Sequence, residues 1–168
     1  MSTNARIGVQ VRPDLPVQSI HVHWDGYPSC VGRKLLNHWT NQGRIFELIE
    51  LGDLSSLGEI IGSKHDFEKA YAEKPTWCLA YGRDRGEEGV EAKTHPFAHW
   101  PDTGQEWEYL WDSQRGEWWG REVSFGTNPG AWSPLTDLVR QDEERIAAWQ
   151  AEQDKNADRW TIHITPKA

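Results

Sequence analysis

The sequence predicts an α+β domain: a mostly antiparallel sheet of about five strands, helices on one face and a long helix near the C-terminus. Three observations carry this. Short alternating runs come in pairs across turns, helical runs are interleaved with them, and 168 residues match one domain at about 150 residues each. A (β/α)8 barrel, at about 250 residues, is excluded.

Arg6 to Val11 and Gln18 to Trp24 alternate on either side of the Pro- and Asp-punctuated link RPDLP, which reads as an antiparallel strand pair. In the second strand Ile20, Val22 and Trp24 share one face and His21, His23 and Asp25 the other. Asp25 to Pro28 is a turn, and Ser29 caps a helix whose apolar side carries Val31, Leu35, Leu36 and Trp39. A second helix runs from Arg44 to Leu51 and stops at Gly52, with a short third expected over Asp53 to Ile61. Thr76 to Tyr81 is apolar and rich in β-formers, so a third strand buried on both faces is expected, followed by a charged loop from Gly82 to Gly89. Glu106 to Asp112 and Glu117 to Val123 form a hairpin that lines up Trp107, Tyr109 and Trp111 on one face. Gly126 to Trp132 reads as loop. Ser133 and Pro134 then start a helix striped by Leu135, Leu138, Val139, Ile146 and Trp149 that runs to about Asp154. Arg159 to Thr165 alternates again and reads as a last strand.

The whole chain is expected to form one domain, with a tryptophan-rich hairpin and long helix over about 105–156. Its formal net charge of −8 works against general binding to nucleic-acid phosphates. The opening MSTNARIGVQ lacks the basic start and apolar core of a signal peptide, and no run approaches the ~18 apolar residues of a membrane span. A cytoplasmic protein without membrane partners is expected. Two distant cysteines, Cys30 and Cys78, exclude a disulfide framework and a four-cysteine zinc site. No phosphate-binding glycine loop, Gly-x-Ser-x-Gly elbow or cofactor motif occurs, so no cofactor is expected and an enzyme is the less favoured reading.

Three groups of residues could carry chemistry. His21, His23 and Asp25 make a row of zinc-type ligands on one strand face, the alternative being a polar sheet face with Asp25 as a turn residue. The fragment is similar to metallo-β-lactamase-type hydrolases, but Gly26 stands where those enzymes have a further histidine, and the chain is too short for that fold. Arg83, Asp84, Arg85 and Glu87 leave the central strand together, and two arginines held by carboxylates can grip an anion, unless they are self-paired surface charge. Eleven tryptophans are the third group. Trp24, Trp39, Trp77 and Trp149 extend apolar faces. Trp100, Trp107, Trp111, Trp118, Trp119, Trp132 and Trp160 exceed what one small core covers, so at least two are expected partly exposed on one surface.

Four motifs recur in order: IHVHWDGYP from Ile20, VGRKLL from Val31, LIELGDLSSL from Leu48 and AYGRDRGE from Ala80. Over roughly Ile7 to Glu88 the chain thereby resembles a family of small proteins of uncharacterised activity encoded by bacteriophages and prophages. The matching residues are His23 to Tyr27, Gly32 and Arg83 to Glu87. At His21 the family commonly carries another residue, and at Gly82 it often has histidine. The resemblance implies a phage-type protein acting in a host cytoplasm.

Taken together, these residues predict a binding protein whose surface, formed by His23, Trp24, Asp25, Tyr27, Arg83, Asp84, Arg85 and Glu87, captures a host protein or small anionic ligand in host takeover or counter-defence. The alternatives are a metal-dependent hydrolase using His21, His23 and Asp25, and an acidic nucleic-acid mimic using the hairpin and Asp142, Glu143 and Glu144. The binding reading requires His23 and Arg83 to meet at one rim of the sheet.

Overall fold

A computed structural model describes residues 2–123 and 128–161. The elements run β1 (Ala5–Gln10), β2 (Val17–Val22), a π-turn (Pro28–Gly32) continuing into α1 (Arg33–His38), α2 (Gln42–Glu50), β3 (Leu54–Ser56), α3 (Ala70–Glu73), β4 (Leu79–Ala80), α4 (Tyr81–Arg85), β5 (Lys93–His95), β6 (Trp107–Asp112), β7 (Glu117–Glu122), β8 (Ser133–Pro134) and α5 (Leu135–Thr161). The architecture is α+β, but the sheet is larger and less uniform than expected. Among the described residues it has eight strands in the order β4-β3-β2-β1-β6-β7-β8, with β5 on the free part of β2. It is mixed: β1 pairs antiparallel with β2 and parallel with β6, and β2 meets β3 in parallel. Parallel pairs need long crossovers rather than tight turns, which is why local patterning revealed the two hairpins and not the β1–β6 seam.

One face of the sheet presents Ala5, Ile7, Val9, Ile20, Val22, Tyr109, Trp111 and Trp118, and these pack against Val31, Leu35, Trp39, Ile45, Leu48, Leu135 and Val139 of the helical layer. Each buried valine, leucine or isoleucine among them contributes about 1.5–3 kcal/mol of transfer free energy. Two buried indoles are also anchored: Trp39 Nε1 donates to the Gly58 carbonyl at 3.0 Å and Trp118 Nε1 to that of Trp39 at 2.7 Å. The other face lies under the segment from β5 to β6. There Trp100 reaches over Gly8, where an added Cβ would come within 2.7 Å of its ring.

Several expectations are corrected. Asp53 to Ile61 is not helical: β3 occupies its first part, because Leu54 and Ser56 find pairing partners in β2 and β4. The strand over Thr76 to Tyr81 shrinks to Leu79–Ala80, and the loop after it begins as α4, closed by Gly86 in the left-handed conformation (φ 72°). Strand β2 ends at Val22, so Trp24 leaves the apolar face and is 43% exposed. Ser133 and Pro134 pair with β7 instead of opening the helix. Helix α5 continues past Asp154 to Thr161, which overrides a strand at Arg159; Ile162 to Thr165 lie outside the described residues. Among the described residues no helix is long and apolar enough to cross a membrane.

Candidate functional site

The His23 to Tyr27 segment forms a joint. After β2 the backbone N–H groups of His23 and Trp24 still donate to Leu54 and Ser55 carbonyls at 3.0 Å each, and the His23 ring stands edge-on to Trp24 at 4.7 Å. Asp25 turns the chain with φ 57°, a left-handed conformation that aspartate tolerates better than most residues. Gly26 is pressed against the Thr3 to Ala5 backbone; its N–H donates to the Thr3 carbonyl at 2.7 Å and its own carbonyl accepts from Tyr109 Oη at 2.7 Å. Tyr27 precedes the π-turn and accepts from the Cys30 N–H at 3.1 Å. The segment thus ties the N-terminus, the hairpin and the first helix together. Asp25 also lines a small cavity of about 60 Å3 with Lys34, Ser56, Tyr71, Lys74 and Trp77.

Arg83 and Asp84 form an internal bracket. Arg83 donates to Asp84 Oδ1 at 2.8 Å, to the Ile61 carbonyl at 2.9 Å and to the Cys78 carbonyl at 2.7 Å. Asp84 is buried and accepts from the N–H groups of Ala80 at 2.8 Å and His65 at 3.3 Å. Burial works to raise its carboxyl pKa; the Arg83 and Ala80 hydrogen bonds outweigh that and hold it below the usual range. Arg85 lies over Phe67 and Tyr81 at 4.6 and 4.8 Å and pairs with Glu87. An anion arriving at Arg83 would have to displace the loop that Arg83 holds. The described contacts bring no member of this group onto His23, Trp24, Asp25 or Tyr27, and β3 runs between the two segments.

The metal row does not assemble. His21 donates its backbone N–H to Asp53 Oδ1 at 2.7 Å and its Nδ1 lies 3.2 Å from Thr103 Oγ1. Burial, then Arg6, His23 and Lys93, push the imidazole down to about 4. Among the described residues no three His, Cys, Asp or Glu side chains are placed to hold a metal. The helix part of the proposed acidic face is paired: Asp142 with Arg145, Glu143 with Arg33 and Glu144 with Arg140.

Beneath Trp100 lies a polar network that sequence reasoning missed. Buried Arg6 donates to Ser19 Oγ at 2.9 and 3.1 Å, Ser19 Oγ is 2.8 Å from His95 Nε2, and His95 Nδ1 is 3.0 Å from the Pro96 carbonyl. A hydroxyl hydrogen-bonded to an oriented imidazole is the arrangement of an activated serine. Here the oxygen is fully buried and already accepts from a guanidinium, so the dyad is a structural knot. Burial raises the pKa of the Cys30 thiol and pushes that of Cys78 up to about 11, which disfavours the thiolate form of both.

On the same face, beside the β6–β7 turn, is an open cleft of about 240 Å3 lined by Gln10, Phe97, Leu110, Asp112, Arg115, Trp119 and Trp132. Its walls are aromatic. Phe97 stacks on Trp132 at 5.8 Å, Trp132 meets Trp100 at 5.5 Å, and the Arg115 guanidinium lies 5.2 Å from the centre of Trp119. Arg121, paired with Glu108 at 2.7 Å, steadies Trp132 by lying over its ring at 4.6 Å. Asp112 caps the turn by accepting from the N–H groups of Gln114 and Arg115, and its carboxylate also pairs with the Arg115 guanidinium at 3.6 Å, which holds Arg115 at the mouth. The buried indole N–H groups of Trp100 and Trp119 have no acceptor among the described residues; buried donors are normally paired.

No protein family, curated protein or solved structure matches this chain.

The cleft therefore has to be read from its own chemistry. Ring faces stack planar groups, and an exposed guanidinium attracts negative charge. Alternation in the sequence places Trp119 opposite Trp118, and Trp100, Trp119 and Trp132 are indeed half-buried on one face while Trp111 and Trp118 are core. Gln10, Phe97 and Leu110 carried no signal, because only the parallel β1–β6 register sets Gln10 beside Asp112.

Proposed function

We propose that the protein is a non-catalytic binding module that captures a small planar ligand bearing negative charge, such as a nucleotide or an aromatic carboxylate, in the Phe97–Arg115–Trp119–Trp132 cleft. The observation that carries it is an open aromatic cleft with a guanidinium at its mouth. The resemblance to phage proteins supports a setting in a host cytoplasm, with the ligand withheld from host enzymes. The His23 to Tyr27 joint and the Arg83–Asp84 bracket then serve as the frame that fixes the sheet, which explains their polar but internally paired chemistry.

The test is calorimetric titration of the full chain with purine and pyrimidine mononucleotides, indole-3-acetate and inorganic phosphate. Saturable binding of a planar anion, with phosphate alone much weaker, is expected. Stacking is worth about 1–3 kcal/mol per base, so Trp119→Ala should weaken binding by about tenfold or more, and Arg115→Gln should weaken anions more than the neutral nucleoside. A folded protein that binds none of these ligands overturns the reading.

A further inference from the structure

The polar groups lining the cleft come in a fixed order. Gln10 and Asp112 are direct partners in the parallel β1–β6 register, so their side chains leave the sheet side by side on one face. The Ser113 N–H donates to the Gln10 carbonyl at 3.1 Å and holds the two strands together past that point. On Asp112, Oδ1 is taken by the N–H groups of Gln114 and Arg115, whereas Oδ2 has only Arg115 Nε, at 3.6 Å. That separation is too long for a hydrogen bond, so the carboxylate oxygen stays open to a donor and the guanidinium keeps N–H groups to give. The Gln10 amide is oriented from its other end: Nε2 donates to the Leu15 carbonyl at 2.9 Å and reaches that of Pro13 at 3.5 Å, which leaves Oε1 as the open acceptor. The wall therefore offers a donor at Arg115, an acceptor at Asp112 and an acceptor at Gln10. The aromatic floor adjoins it, because Leu110, two residues before Asp112 on the same face, is paired with Trp119.

We propose that the cleft selects guanine. This rests on the assignment of the cleft to a planar anion and names the ring system. A base stacked on Trp119 presents its edge to the wall, and each base carries its own pattern of donors and acceptors. Guanine's edge runs O6 acceptor, N1–H donor, N2–H donor, the complement of Arg115, Asp112 and Gln10. Adenine sets an amino group against the guanidinium and a ring nitrogen against the carboxylate, two repulsive contacts. Cytosine repeats the wall's own pattern, and uracil sets a carbonyl against Gln10. At about 240 Å3 the cleft is smaller than the ~300–1,000 Å3 of pockets that enclose a whole drug-sized ligand, so it takes the base and leaves sugar and phosphate outside. Arg115 thus hydrogen-bonds O6 and acts on the phosphate only through its charge.

Calorimetric titration of the full chain with GMP, IMP, AMP, CMP and UMP tests this. GMP is expected to bind tightest, IMP, which lacks the 2-amino group, about three- to tenfold weaker, and AMP at least about thirtyfold weaker. Gln10→Ala should bring the GMP-to-IMP affinity ratio to about one. Asp112→Asn keeps an oxygen to cap the turn and turns an amino group to the base, so it should cut the GMP-to-AMP ratio at least about tenfold. Each readout compares two ligands on one variant, so a merely loosened turn leaves it unchanged. Equal affinity for all the nucleotides, or binding of indole-3-acetate without GMP, overturns the guanine assignment while the planar-anion assignment stands. Binding of none of these ligands overturns both, and ratios untouched by the two substitutions overturn the guanine assignment as well.

Discussion

Asp84 carries the clearest single-residue consequence. Its carboxylate is buried with Arg83 against it and two backbone N–H groups donating to it. Removing one member of such a pair leaves a buried charge uncompensated. Asp84→Asn is therefore expected to lower stability by about 3–5 kcal/mol in urea melts, while Arg85→Ala, at a half-exposed pair, should cost no more than about 1 kcal/mol. Equal effects would mean that the bracket is ordinary surface charge. The sequence showed that arginines and carboxylates cluster here, but not which way they point. Arg83 turns inward because the loop at Ile61 and the residue before the strand, Cys78, present carbonyls to it, and Ile61 lies outside the local pattern around Arg83. Asp25 was legible as a turn residue, and a turn residue is what it is.

Among the elements, those whose order is local were readable. The β6–β7 hairpin, α2 and the start of α5 follow from alternation, helical spacing and turn residues within a short window. What escaped was set by distant partners: β3 is strand only because β2 and β4 flank it, and the β1–β6 register joins segments as far apart as Ala5 and Trp107. The same distant pairing places Gly8 under the segment that carries Trp100. A methyl group there would lie 2.7 Å from the indole and 2.8 Å from Val17 Cγ1. Gly8→Ala should thus destabilise the protein by about 1–3 kcal/mol through overpacking and loosen Trp100 from His95, now 5.1 Å away. A fall in melting temperature with an altered near-ultraviolet dichroism spectrum is the expected readout; an unchanged spectrum would show that the roof does not rest on this strand.

For the molecule as a whole, the buried polar face makes folding sensitive to acid. Folded, His21 stays neutral down to about 4, whereas an unfolded imidazole protonates near 6.5. Between those values the unfolded chain binds the extra proton, so stability is complete above 6.5 and declines as pH falls toward 4. His95, lowered chiefly by burial, acts in the same sense; Asp53, raised by burial, acts in the opposite one. A net loss of about 1–2 kcal/mol from pH 7 to 4.5 is expected, because the half-buried His21 ring is partly screened by solvent. Urea midpoints across pH should show that slope, and His21→Asn should flatten it; a slope untouched by the substitution would place its origin elsewhere.

The parallel seam at the centre of the sheet also bears on how the chain is made. During synthesis β1 leaves the ribosome long before β6 exists, and its early hairpin with β2 covers one edge only. The other edge stays open, hydrogen-bonding groups bare, through most of translation, and bare edges recruit foreign strands. Nascent chains that end between Gln10 and Trp107 therefore carry β1 with one edge unpaired, and aggregation during synthesis is expected to fall on them.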